Sequence, residues 1–210
     1  MESKYSQHDE EAHILSWFGH DGKNDSSLRS GCFLDIGAYT GVELSNTRRL
    51  AELGWGGVAV EAAAAPFASL LKNYREYPTV ALVCAAIWKE PVPGLVEFQQ
   101  TDGDAVACLA SCDEHIKIWK DAVQFQRSFV SAIPISVLLS RFSPPYDFVS
   151  LDIEGANWEI LQTLPVESMG TSLLCVEVDE RRKDMVAWAS DHGFDLVVYE
   201  SYENLIVGKA

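Results

Sequence analysis

The chain predicts a three-layer α/β fold around a mostly parallel, seven-stranded sheet, and three observations carry that expectation. Short apolar runs recur as CFLDIG, GVAVE, VALVCAAIW, DFVSLDI, LLCVEV, FDLVVYE and NLIVG. Near-continuous apolar runs of this length mark strands buried on both faces. Segments long enough for helical crossovers separate the first five, as parallel strands require. Only Ser201-Tyr202-Glu203 divides the last two, so they form a C-terminal antiparallel hairpin at one sheet edge.

A chain of 210 residues with 48% hydrophobic content supports one full core and is short for two domains. Residues 1–210 are therefore expected to form a single domain. In it, 1–30 is an N-terminal helical cover and 90–133 an insertion near the substrate pocket. Ser6 is placed to cap a helix through QHDEEAHILSWF, with Asp9 three residues on and Ile14, Leu15 and Phe18 on the apolar face. The 90–133 stretch departs from strict alternation. It carries Pro91, Pro93 and Gly94, then LVEFQQ and the helical-looking DEHIKIWKDAVQF. Ala62 to Ala65 reads as a helix start.

Sixteen basic residues against 31 acidic ones give a formal charge of −15, which repels a phosphate backbone and argues against a nucleic-acid partner. The amino terminus lacks the basic start and apolar core of a signal peptide, and no run approaches membrane-spanning length. The reading is a cytoplasmic protein without a membrane partner, its five cysteines reduced. Cys108, Cys112 and His115 lack a CxxC pair and a clear fourth ligand, so no zinc site is expected. Oligomeric state is not legible.

In FLDIGAYTGVELSNTRRL a strand, a glycine turn and a helix follow one another. Gly37 and Gly41 permit a sharp turn and close approach to a ligand, and Asp35 stands at the strand's carboxyl end, where open α/β sheets bind ligands. The pattern is DxGxxxG rather than the GxGxxG of a pyrophosphate loop. It suits S-adenosylmethionine, which has no phosphate to cradle but needs an acid and backbone N–H donors. The missing third glycine argues against a dehydrogenase. Glu61, ending the second strand, can accept hydrogen bonds from both ribose hydroxyls. The backbone at Ala85 and Ala86 can flank adenine, with Ile87 or Trp88 over its face.

In DFVSLDIEGANWEIL the strand ends at Asp152, Glu154 follows two residues later on the same side, and Gly155 opens a helix carrying Trp158, Leu161 and Leu164 inward. LLCVEVDE repeats the device with Glu177 and Asp179. Such a set of acids can polarise a hydroxyl, orient sugar-like hydroxyls or bind a hard cation such as Mg²⁺. The bland alternative is that Asp152 caps a helix and Glu154 is solvated.

Ser143-Pro144-Pro145-Tyr146 looks like the motif with which DNA amino-methyltransferases hold a flipped base. That motif follows the fourth strand, whereas here it precedes the strand and falls at the opposite, amino edge. Pro144-Pro145 then simply ends the helix ISVLLSRF and starts the strand.

Taken together, YSQHDEEAHIL, FLDIGAYTGVELSNT, GWGGVAVEA, IPISVLLSRF, YDFVSLDIEGANWEIL and LLCVEVDE resemble the FkbM-type methyltransferases, a family of S-adenosylmethionine-dependent O-methyltransferases acting on hydroxyls of polyketides, sugars and related metabolites. The resemblance implies a class I methyltransferase (Rossmann-like) sheet. It implies cofactor binding at Asp35, Gly37, Ala38, Gly41, Ser45, Asn46, Glu61, Ala62, Ala86, Ile87 and Asp152. The acceptor lies near Asp152 and Glu154. Asp152 is the first candidate for the base, Glu154 or Glu177 the second, and His8 or His13 enter only if the first helix folds over the site. Where related sequences have Gly-Glu-Asp, this chain has DEE, so Glu10 and Glu11 match in charge alone. AAAAPF after Glu61 replaces a polar-rich loop. The expected activity is methyl transfer to a hydroxyl of a small metabolite or glycan. The alternatives are a nucleic-acid amino-methyltransferase and a non-catalytic cofactor-fold binding module.

Overall fold

The computed structural model describes residues 4–21, 28–91, 94–101, 107–109, 113–178 and 180–210. In chain order the elements are α1 (Glu10–Trp17), β1 (Cys32–Ile36), α2 (Arg48–Glu52), β2 (Gly56–Glu61), α3 (Ala64–Asn73), β3 (Val80–Cys84), β4 (Ala86–Trp88), β5 (Leu95–Gln100), β6 (Cys108–Leu109) and α4 (Asp113–Trp119). There follow β7 (Gln126–Pro134), α5 (Ile135–Arg141), β8 (Phe148–Leu151), α6 (Asn157–Leu161), α7 (Val166–Met169), β9 (Leu173–Glu177), α8 (Arg182–Asp191), β10 (Leu196–Glu200) and β11 (Asn204–Gly208).

The main sheet has seven strands in the order β10-β11-β9-β8-β1-β2-β3. Strands β3, β2, β1, β8 and β9 run parallel, and β11 is antiparallel to both β9 and β10. This is the expected set of parallel strands with a terminal hairpin. Period-two alternation divides the core into two layers. Leu34, Ile36, Val58, Val60, Val149 and Leu151 face α5 to α8 through Leu138, Ile160, Val166 and Met185. Phe33, Ala59, Phe148, Leu173 and Cys175 face α1, α2 and α3 through Ile14, Leu15, Leu50 and Leu70.

Two elements differ from the sequence reading. VALVCAAIW is not one strand. Strand β2 offers partners only as far as Glu61, opposite Cys84, so the remainder has no ladder in the main sheet. It turns at Ala85 and pairs as β4 with β7 in a second sheet ordered β4-β7-β5-β6. DEHIKIWKDAVQF stops being helical at Trp119, and the chain enters the long strand β7 at Gln126, which pairs with β5 from Gln126 to Ser131.

Helix α1 starts at Glu10, three residues later than QHDEEAHILSWF suggested. The capping device survives in looser form. Ser6 Oγ accepts from the Glu11 N–H at 3.0 Å, while the Glu11 carboxylate accepts from the N–H groups of Lys4 and Tyr5. Ile14, Leu15 and Phe18 are buried as expected, with Phe18 edge-on to Trp55 at 4.6 Å between centroids.

The Ser143–Tyr146 segment lies at the amino end of β8. The Tyr146 ring is buried, and its hydroxyl donates to the Phe142 carbonyl at 2.6 Å. That position removes it as a base-holding motif. No described helix is long and apolar enough to cross a membrane.

Close approach of β1 and β2 depends on Gly57, which pairs with Phe33; a Cβ there would stand 2.4 Å from the Phe33 carbonyl oxygen and 2.7 Å from its ring. Gly57→Ala should therefore destabilise the fold by about 1–3 kcal/mol, the usual scale of overpacking. The check is a lower urea midpoint at unchanged m value.

Candidate active site

In the main sheet β1 lies between β2 and β8, so crossovers leave it in both directions and open a crevice at the strands' carboxyl ends. Gly37 sits at that point with φ +93°, and a Cβ on it would lie 1.5 Å from the Asp152 carbonyl oxygen. Only glycine lets the ends of β1 and β8 meet, and the Asp152 N–H closes the contact by donating to the Ile36 carbonyl at 2.9 Å. Above it opens a cleft of about 930 Å³. That is near the top of the range for small-molecule sites, with room for two ligands. Of the residues singled out from sequence, Gly37, Glu61, Ala62, Ala85, Ala86, Ile87, Asp152, Glu154 and Glu177 line it.

Glu61 is the hinge of the β2 side. Its Oε2 accepts from the Tyr39 N–H at 2.9 Å and its Oε1 from the Ala63 N–H at 2.6 Å. Burial pushes its carboxyl above the usual range, partly opposed by those backbone donors. A carboxylate offers about four acceptor directions, so ligand hydroxyls can still bind.

Asp35, Ala38, Gly41, Ser45 and Asn46 do not line the cleft. Strand alternation explains Asp35: it points with Phe33 toward α1, α2 and α3, while its neighbour Ile36, on the α5–α8 face, also borders the cleft. Across the sheet Asp35 pairs with Ser150, and Ser150 with Cys175, making a buried row on the helical face. The Ser45-Asn46-Thr47 segment sits on that row. Thr47 Oγ1 donates to Asp35 at 2.6 Å, and Asn46 Nδ2 reaches Ser150 Oγ at 3.3 Å and Cys175 Sγ at 3.6 Å. Ser45 Oγ accepts from the Arg48 N–H at 3.0 Å at the start of α2. Gly41 makes room for Leu70 and Tyr74, each of which a Cβ would approach to 2.4 Å. The N–H groups of Gly37 and Ala38 donate to the Val60 carbonyl and that of Gly41 to Ala38. The glycine loop's donors are thus largely spent within the loop rather than turned toward a ligand.

On the β8 side Asp152, Glu154 and Glu177 are half-buried, with one carboxylate oxygen from each lying within 4.8 Å of the other two. Asn157, which sequence reasoning passed over, is fully buried beside Glu177. Its Nδ2 donates to Glu177 Oε2 at 2.7 Å, and its Oδ1 accepts from the Ile153 N–H at 2.9 Å. A polar residue on the inward side of an otherwise apolar helix start was the available signal. These oxygens are the hard donors that Mg²⁺ prefers. Asp179 and Cys112, and the side chain of His115, lie outside the described residues. His8 Nε2 pairs with Glu203 at 2.6 Å and His13 stacks on Tyr199; neither lines the cleft.

Among the described residues, three non-glycine residues adopt left-handed φ: Tyr39 (50°), Leu44 (58°) and Glu154 (52°). All line the cleft. Strained backbone of this kind costs roughly 1–3 kcal/mol per residue and concentrates where geometry serves a site.

A family model described as a methyltransferase FkbM domain matches residues 35–196. The chain belongs to the FkbM methyltransferase family. No curated protein matches it. Among solved structures the FkbM domain is similar to a precorrin-6y C5,15-methyltransferase from Geobacter metallireducens, at 15% identity over 100% of this chain and 92% of that one, with a TM-score of 0.52. It is also similar to TrmK of M. capricolum in complex with S-adenosyl-homocysteine, at 13% identity over 86% of this chain, TM-score 0.43. It spans 63% of that chain. The N-terminal domain of human METTL16 matches at 11% identity over 94% of this chain and 66% of that one, TM-score 0.48. At 15% identity, what the chain shares with the precorrin-6y methyltransferase is the class I methyltransferase fold.

Full burial raises the Asp35 carboxyl from 3.8 to about 7, against the Thr47 hydrogen bond and with a smaller push from the Glu61 charge. A raised acid contributes most below its unfolded value, and the contribution is lost as pH rises through about 7. Asp35→Asn keeps an acceptor for Thr47 and cannot ionise. Its stability relative to wild type should therefore increase by about 2–3 kcal/mol from about pH 5 to about pH 8, read from urea unfolding at each. A pH-independent difference would show that Asp35 does not titrate in that window.

Proposed function

We propose that this FkbM domain is an S-adenosylmethionine-dependent O-methyltransferase acting on a hydroxyl of a small metabolite or glycan. The observation that carries the reading is the Gly37–Asp152 contact, which joins the Glu61 side and the carboxylate trio in one cleft. The residues present fit the cofactor. Glu61 keeps acceptor capacity for ribose hydroxyls, and Ala62, Ala86 and Ile87 form an apolar wall suited to adenine. When bound, S-adenosylmethionine supplies an electrophilic methyl group.

The chain's own task is then placement and proton removal. An acceptor oxygen must be held about 3 Å from the methyl carbon and in line with the breaking bond. Asp152, anchored through its N–H to β1, takes the hydroxyl proton. A proton arriving on one carboxylate relieves its repulsion with the other two, and Asn157 keeps Glu177 in place beside it. A second reading rests on the same oxygens: Mg²⁺ held by the trio would polarise the acceptor hydroxyl, and EDTA would then inactivate the enzyme. Residues 90–133 supply the acceptor side through Phe98, Ala107 and Trp119. A cytoplasmic setting accords with the free thiols of Cys32, Cys84 and Cys175.

Glu61→Ala should weaken S-adenosylmethionine binding by about 1.5–3 kcal/mol without unfolding the protein, measured by titration calorimetry alongside thermal melting. No cofactor binding by the wild type at millimolar concentration would leave the non-catalytic module as the better account.

Asp152→Asn should leave cofactor affinity nearly unchanged and lower turnover by about 100-fold or more, the usual worth of a positioned base. Wild-type turnover in that variant would reduce LDIEG to a strand end.

A further inference from the structure

Resting on the methyltransferase reading, the inference concerns what the acceptor looks like away from its reacting hydroxyl. Among the described residues, four large apolar side chains that are unusually open to solvent stand on this one cleft: Leu44 (46% exposed), Ile118 (70%), Trp119 (38%) and Tyr202 (89%). They come from three separate segments, the glycine loop, α4 and the β10–β11 turn. Singly exposed apolar residues need no explanation, but a cluster drawn from distant segments onto one cavity marks a contact surface.

Two further observations separate this rim from chance exposure. Leu44 holds a left-handed backbone, a cost with no return from burial. Tyr202 is nearly fully exposed, yet its turn is tied down. Arg182 Nη2 donates to the carbonyls of Ser201 and Tyr202 at 2.8 and 3.0 Å, and Nη1 to Glu200. On the far side of the turn Asn204 Nδ2 donates to the buried Glu10 carboxylate at 3.1 Å. A solvent-exposed aromatic ring on a braced turn is a prepared platform for a flat ligand.

Charge narrows the ligand further. Among the described residues of the cleft, the cation is Arg182, already engaged by Glu200 and two carbonyls. Glu43, Glu180 and Glu203 add to the carboxylate trio. An anionic acceptor would meet repulsion from several carboxylates, and Arg182 is already committed to the turn.

We infer that the acceptor joins its reacting hydroxyl to a flat apolar body and carries no negative charge, with Trp119 and Tyr202 as the specificity-determining platform.

The test uses the full chain saturated with S-adenosyl-homocysteine and three probes, measured by titration calorimetry. The probes are 2-naphthyl glucoside, glucose, which has the hydroxyls without the flat body, and 2-naphthyl glucuronide, which adds a carboxylate. Naphthyl glucoside should bind at least about 10-fold more tightly than either other probe. Trp119→Ala and Tyr202→Ala should each weaken it about 2- to 10-fold, the worth of one aromatic contact. Neither variant should change S-adenosyl-homocysteine affinity or the melting temperature. Equal binding of glucose, tighter binding of the glucuronide, no binding of the glucoside, or indifference of both variants would overturn the inference while leaving methyl transfer intact. Failure of the wild type to bind S-adenosyl-homocysteine would overturn the methyltransferase reading, and the inference with it.

Discussion

The site depends first on a buried row of small and polar groups that crosses the centre of the sheet. Asp35, Ser150 and Cys175 lie side by side on β1, β8 and β9, facing the helices, where strand alternation would otherwise put large apolar side chains. Such groups are costly to bury without partners. Thr47 and Asn46 provide them, so the segment leaving the glycine loop is clipped onto three strands at once. Ser45 then accepts from the first N–H of α2. The path of the loop over the strand ends follows from that clip.

Its counterpart is the pinch between Gly37 and Asp152. The parallel ladder brings the ends of β1 and β8 together, and the absent Cβ lets the two chains touch. The loop closes across to β2 through the Tyr39 N–H on Glu61. Polypeptide in this region is taut: Tyr39, Leu44 and Glu154 hold left-handed backbones around one cavity. Hydrogen bonds from neighbouring elements offset that strain, with Asn157 bracing both Ile153 and Glu177.

The cleft's outer wall comes from parts with different origins. The second sheet and α4 bring Phe98, Ile118 and Trp119, while the hairpin turn brings Tyr202 and Glu203. The amino-terminal segment reinforces the hairpin. Glu10 is wholly buried and bonded to Asn204, and His8 pairs with Glu203 at the rim. The partner carboxylate raises the His8 imidazole above its usual value.

Periodicity and turn chemistry made much of this legible from the sequence by itself. The apolar runs marked the strands of the main sheet, DxGxxxG marked the β1 turn, and the SPPY segment was assigned to the amino edge because it preceded its strand. Glu61, Asp152 and Glu177 line the cleft because a strand-end acid in a parallel sheet faces the crevice. Asp35, Asn46 and Gly41 look the same in one dimension, yet they lie off the cleft lining, Asp35 bonded to Thr47, Asn46 to Ser150, and Gly41 against Leu70 and Tyr74. Which face a strand residue takes, and what lies opposite it, depends on register with other strands, and that is a long-range property. The same reason hid Asn157 and the second sheet, since VALVCAAIW divides only because β2 ends opposite Cys84. The sequence determined the sheet and its acidic edge; tertiary pairing decided which polar residues hold the loop and which face the cleft, because burial and partners exist only once distant strands are in register.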